Sequence, residues 1–131
     1  MKSSLQITEV QVPRRISIVD DDASIREALK SLMRSVQYDV EAFASAEEFL
    51  ASERLGDTAC LILDVYLPGM SGFELQSRLN AEGRAIPIVF ITAHADEASR
   101  RRAIQEGAVE MLAKPVRKET LFSAIRAAMQ P

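Results

Sequence analysis

Four apolar stretches of this chain each end on a group with chemistry to offer. Residues 15–20 (RISIVD) run into Asp20, Asp21 and Asp22, and residues 59–63 (ACLIL) stop at Asp64. Residues 86–92 (IPIVFIT) close on Thr92, and residues 109–113 (VEMLA) are followed by Lys114. Two carboxylates ~5 Å apart repel by roughly 3 kcal/mol at an effective dielectric of ~20. Asp20, Asp21 and Asp64 gathered in one pocket must therefore take up a proton or recruit a cation. A hard divalent ion is the natural guest, Mg²⁺ with Mn²⁺ as its substitute, because the donors are all oxygens. No second histidine or thiolate competes for zinc, since His94 and Cys60 are the only residues of their kinds. Beside such an ion Asp64 is a nucleophile towards phosphorus. The metal and the Lys114 ammonium would neutralise the transferring phosphoryl oxygens, and the Thr92 hydroxyl could donate to one of them. No general base is required, because an ionised carboxylate already attacks.

The elements that must position these groups alternate regularly. Residues 15–20 and 38–43 read as strands. Between them Ile25, Leu29, Leu32, Met33 and Val36 recur at helical spacing over residues 22–36. Ser45 with Glu48 and Ser71 with Glu74 fit capping boxes opening helices over 45–54 and 71–82. Residues 59–63 form a continuous apolar run, the pattern of a parallel strand covered on both faces. Strands over 86–92 and 109–113 and helices over 96–106 and 117–129 complete the series. Gly56, Gly83 and Gly107 each fall just past a helix, where a left-handed residue is wanted. The expected fold is α/β, a flavodoxin-like, doubly wound (βα)5 unit with a parallel five-stranded sheet of order 2-1-3-4-5. In open sheets of this kind the crevice lies beyond the carboxyl ends of the strands, at the switch point between strands one and three. That order brings Asp20, Asp21 and Asp64 into one pocket.

Composition narrows the function classes. The 131 residues carry 16 basic and 19 acidic side chains, so no net basic field gathers nucleic acid. One cysteine excludes an internal disulfide, and within its apolar run Cys60 reads as a small buried thiol. The absence of a long apolar run or a leader-like start points to the cytoplasm. Residues 1–13 read as a flexible extension, with Leu5, Ile7, Val10 and Val12 allowing an accessory strand instead. Residues 14–131 read as one domain.

The acidic run VDDD at 19–22, LDVYLPGMSG at 63–72, FITAH at 90–94 and the Lys114–Pro115 dipeptide occur in this order at strand ends. Together they resemble the receiver domain of two-component response regulators. GAVEMLAKP and SAEEFL resemble most the FixJ-type receivers, which usually precede a helix-turn-helix output domain. The resemblance implies a phosphorylation-activated switch and not a conventional enzyme. Asp64 would accept phosphate from a phosphohistidine on a sensor histidine kinase. Asp21, Asp64 and the backbone carbonyl of Tyr66 would ligate Mg²⁺, with Asp20 assisting through a water. Thr92 and Lys114 would contact the phosphoryl group, and the Lys114–Pro115 bond would be cis. The fourth helix, fifth strand and fifth helix would form the output surface, serving a homodimer or a transcriptional output in a domain outside this chain.

Individual residues have plainer readings beside these. Asp22 is placed as the N-cap of the first helix and stays outside the metal site. His94 reads first as an exposed loop residue, although with Tyr66 it lies near enough in sequence to tune phosphate loss. Met111 stands three residues before Lys114, where the resembling family carries an aromatic switch residue, so rotation of an aromatic there is in question. Arg100, Arg101 and Arg102 point in three directions on a helix and read as a solvated face. An aspartyl phosphatase of the haloacid-dehalogenase type would need a second Asp two residues after the nucleophile, where Tyr66 stands. A receiver-like binding module that takes no phosphate is the remaining alternative. Flavin binding is disfavoured by the acids after the first strand, and direct DNA binding by the charge.

Overall fold

The computed structural model describes residues 15–130. The expected extension over residues 1–13 lies outside the described residues. Five strands, β1 (Arg15–Val19), β2 (Asp39–Phe43), β3 (Thr58–Asp64), β4 (Ile88–Thr92) and β5 (Glu110–Ala113), alternate with five helices. These are α1 (Ala23–Ser35), α2 (Ala46–Leu50), α3 (Gly72–Ala81), α4 (Glu97–Gln105) and α5 (Lys118–Ala128). All neighbouring strands pair in parallel, in the order β2-β1-β3-β4-β5. This is the expected flavodoxin-like topology.

The two-residue period of a strand sorts its side chains between two cores. Cys60 and Ile62 of β3 join Ile16, Ile18, Val89, Ile91 and Leu112 on one face, beneath Leu29 and Met33 of α1 and Leu121 and Ile125 of α5. Leu61 and Leu63 join Val19, Phe90 and Met111 on the other, beneath Phe49 of α2, Leu75 and Leu79 of α3 and Ala103 of α4. β3 is central and buried on both faces, which is why its run from Ala59 to Leu63 is apolar. Polar side chains within the sheet meet one another, although Arg15 Nε is buried without a hydrogen-bond partner. The Ser17 and Thr58 hydroxyls lie 2.7 Å apart, and the buried Arg15 guanidinium meets Glu41 at 2.6 Å and Asp39 at 3.4 Å.

Helix signals held with local exceptions. Asp22 accepts from the Ser24 and Ile25 amides as the cap of α1, and Ser71 with Glu74 forms the full reciprocal box of α3. At α2 only half of the expected box forms: Ser45 accepts from the Glu48 amide, but Glu48 reaches back to the Ala44 amide. The helix ends at Leu50, short of the expected residue 54, and a 3₁₀ turn (Leu55–Asp57) follows. Gly56 lies inside that turn without a positive φ, whereas Gly83 and Gly107 have φ values of 71° and 104° at their helix ends.

Gly72 starts α3 directly against the end of β3, its amide donating to the Val65 carbonyl at 2.9 Å. A Cβ there would press on the Asp64 carbonyl oxygen and stand 2.9 Å from the Val65 Cα. Both neighbours are backbone and neither can rotate away. Gly72→Ala is therefore expected to cost about 1–3 kcal/mol, the range for overpacking, as a lower urea midpoint at unchanged m-value.

Candidate functional site

The carboxyl ends of β1 and β3 are adjacent in the sheet, and their terminal acids meet there. Asp20 follows β1 and is fully buried. Its Oδ1 accepts from the Asp22 amide at 2.9 Å, its own amide donates to the Phe43 carbonyl at 3.2 Å, and its carbonyl accepts from the Arg26 guanidinium at 2.7 Å. The backbone around it is thus tied to β2 and α1 together. Asp64 closes β3 and is also buried, with Oδ1 accepting from the Tyr66 amide at 3.2 Å. Asp21 is exposed at the rim. One oxygen from each of Asp20, Asp21 and Asp64 lies within 4.8 Å of the others.

Lys114 enters from the end of β5, and its Nζ stands 3.0 Å from Asp20 Oδ2 and 3.0 Å from Asp64 Oδ2. The Lys114–Pro115 bond is cis, as expected. Thr92 is fully buried at the end of β4. Its carbonyl accepts from the Lys114 amide at 2.8 Å and its hydroxyl oxygen accepts from the His94 amide at 3.2 Å. Tyr66 enters through its amide, while its ring is exposed and meets the His94 ring edge-on at 5.7 Å. His94 is exposed, as its plain reading has it, but it is not isolated. Asp22 serves the α1 cap, apart from the acid cluster.

One ammonium thus faces two buried carboxylates, with a third at the rim. Burial holds the Asp64 carboxyl above its ordinary range; Lys114 opposes this, and the negative charge of Asp20 adds to it. Burial works against the Lys114 ammonium, but its two carboxylate partners more than offset that, and its pKa is raised. The pair would ordinarily pull the acid down. Here a single cation is divided between two anions, so Asp64 is left short of compensation. Asp20 Oδ2 is buried and accepts no well-aligned hydrogen bond. Its charge is met by the Lys114 ammonium at 3.0 Å, which it shares with Asp64 Oδ2. These residues fit a hard cation, with net negative charge left for it to neutralise.

Three contributors escaped the sequence reading. Arg26 is indistinguishable from any solvent-facing helix residue until its guanidinium is seen on the Asp20 carbonyl. Gly72 was legible as the end of the LDVYLPGMSG motif but not as a close-approach position. Glu47 accepts from the Met70 amide at 2.9 Å across 23 residues, a partnership no local pattern announces. Met111, in the place of an aromatic residue, is wholly buried beside Phe90 and Ala103.

Fold and site together define a flavodoxin-like α/β domain with a cation-ready acidic crevice at its switch point. Residues 16–126 match the family model of the response regulator receiver domain, and the chain belongs to that family. It is 47% identical over 115 residues to the response regulator protein TodT of Pseudomonas putida, covering 88% of this chain and 51% of that one. The transcriptional regulatory protein FixJ of Azorhizobium caulinodans is 34% identical over 114 residues, covering 87% and 54%. The solved response regulator StyR superposes with a TM-score of 0.81 at 46% identity, covering 88% of this chain and 59% of that one. The chain spans about half the length of the curated relatives it matches.

The unbalanced charge has a consequence for stability. Folding raises the Asp64 pKa, so the unfolded chain releases this proton at lower pH than the folded one. The contribution to stability is full below the ordinary carboxylate range and falls as pH rises towards the raised value. Asp64→Asn removes the ionisation. In metal-free buffer at neutral pH the variant is expected to melt above wild type, and thermal scans across an acid series should show the gap closing as pH falls.

Proposed function

We propose that this domain is the phosphorylation switch of a two-component system, with Asp64 accepting a phosphoryl group from a phosphohistidine of a sensor histidine kinase. The observation that carries this reading is the single Lys114 ammonium shared by buried Asp20 and Asp64, with Asp21 within reach. That arrangement is short of one cation and suits a carboxylate kept available as an acceptor. Asp20, Asp21, Asp64 and the Tyr66 carbonyl would hold Mg²⁺, or Mn²⁺ in its place. When bound, the metal supplies positive charge to the phosphoryl oxygens. Asp64 attacks phosphorus in line, and an O–P bond forms as the P–N bond to the donor imidazole breaks. The electron pair leaves on the imidazole nitrogen, which takes up a proton. Lys114 gives up part of its contact with Asp64 to the new phosphoryl oxygens, and the Thr92 hydroxyl donates to another. The protein's own chemistry ends there, with later hydrolysis of the acyl phosphate, so it is not a conventional enzyme.

Tyr66 and His94 stand edge to face at the rim. We assign them to shielding the acyl phosphate from water. The output would pass to the α4–β5–α5 face, where the Arg100 guanidinium donates to the Met111 carbonyl at 3.1 Å and lies 3.8 Å from Glu110. Phosphorylation would bias this face towards a homodimer or towards control of transcription by an output domain, with no direct nucleic-acid contact from the receiver. Among the described residues no helix is long and apolar enough to cross a membrane; we assign the protein to the cytoplasm, where a kinase partner would meet it.

Incubation with Mg²⁺ and acetyl phosphate should add the mass of one phosphoryl group, and both EDTA and Asp64→Asn should abolish the addition. A folded, Mg²⁺-binding protein that gains no mass would point instead to a binding module. In the same assay Tyr66→Ala is expected to shorten the phosphate half-life several-fold, and an unchanged lifetime would remove the shielding role.

A further inference from the structure

The segment from Tyr66 to Ser71 links the phosphoacceptor strand to α3 and has to hold its shape at the edge of the crevice. Its far end is fixed by the Ser71–Glu74 box and by Gly72 against the Val65 carbonyl. Leu67 is buried in the core. The middle, Pro68 to Met70, is exposed or half-exposed, and there Glu47 takes hold. Its Oε2 accepts from the Met70 amide at 2.9 Å. The same oxygen lies 2.7 Å from where a Cβ on Gly69 would stand, and Gly69 has a φ of 76° that side-chain-bearing residues rarely adopt. Loop and carboxylate are therefore matched at two successive residues.

The helix that carries Glu47 is itself held. Ser45 caps it, Glu48 returns to the Ala44 amide, and Phe49 is buried beneath it against the Phe43 ring at 5.6 Å. The two adjacent glutamates thus divide the work: Glu48 fixes the helix start, and Glu47 reaches outward to a loop 23 residues away. Hydrogen bonds from the Met70 amide and from Glu47's own backbone keep its carboxyl below the ordinary range, so the acceptor stays ionised at neutral pH. Glu47 is exposed, and removing its side chain leaves no cavity. Its contact with the loop is directional, and it supplies no apolar burial.

We infer that Glu47 is a positioning residue for the metal-dependent reaction, its carboxylate holding the Tyr66–Ser71 loop through the Met70 amide so that Asp64 and Tyr66 stay in place for the cation. This rests on the function proposed above. It makes α2, an element with no residue in the acid cluster, a determinant of metal affinity. Partners that orient ligands from outside the ligand set typically change metal affinity by about 10–100-fold, and an exposed contact belongs at the lower end.

The test is calorimetric titration with Mg²⁺ alone of wild type, Glu47→Ala, Glu47→Asp and Glu47→Gln, each with a thermal melt. Glu47→Ala should weaken Mg²⁺ binding about tenfold with its melting temperature nearly unchanged. Glu47→Asp keeps the charge but withdraws the oxygen by one methylene, and should fall with Ala. Glu47→Gln keeps an acceptor oxygen at full reach and should stay near wild type. Wild-type affinity in Glu47→Ala would overturn the inference. So would a Gln variant as weak as Ala beside an Asp variant like wild type, because charge and not the bond would then be acting. A wild-type protein that binds no Mg²⁺ would overturn the site assignment, and this inference with it.

Discussion

The rest of the structure is organised around one ammonium group that has to serve two buried carboxylates. Lys114 comes from the end of β5, Asp20 follows β1 and Asp64 ends β3, so the contact spans four of the five strands. No local segment could assemble it. The parallel sheet brings every strand to the same edge with its carboxyl end outward, and two hydrophobic cores hold those ends rigidly enough for one charge to be shared at 3.0 Å on both sides. A balanced pair would be a structural salt bridge. The unbalanced trio remains receptive to a further positive charge, the property on which the proposed function rests.

The sheet was legible in the sequence because both faces of β3 and β4 are covered, and a doubly covered strand reads as a nearly continuous apolar run. The catalytic-looking groups were legible for a related reason: a polar residue at the end of such a run has no structural excuse. Elsewhere the code was looser. The Ser45–Glu48 spacing fits a box, yet Glu48 bonds one residue earlier, since a side chain of that length can reach either amide. Gly56 sits after an apparent helix but within a 3₁₀ turn, where its conformational freedom is not used. Arg26 and Glu47 were silent, because each acts on a backbone group whose location depends on the folded chain.

The basic run on α4 shows how far a solvated face can still be engaged. Arg100 donates to the Met111 carbonyl, Arg101 lies 3.7 Å from Glu97, and Arg102 sits 4.3 Å over the Phe73 ring. Three consecutive cations thus address β5, their own helix and α3 in turn. From α3, Gln76 and Asn80 donate to the Ala103 and Glu106 carbonyls of the α4 end. The helix is held by polar contacts at its margins more than by its small apolar footprint, in which Ala103 is the one buried residue. Polar margins exchange partners at lower cost than a packed core does, which suits a helix on the face proposed to carry the output.

The buried thiol of Cys60 carries a consequence of a different kind. Burial in the centre of β3 pushes its pKa up to about 12, so almost none is thiolate at neutral pH. Maleimide and iodoacetamide reagents, which need an accessible thiolate, will pass it by while the domain is folded. A cysteine introduced on the surface of α4 or α5 can therefore carry a spectroscopic label alone, with the native thiol left in place. Slow labelling at Cys60 itself becomes a clock for opening of the central strand.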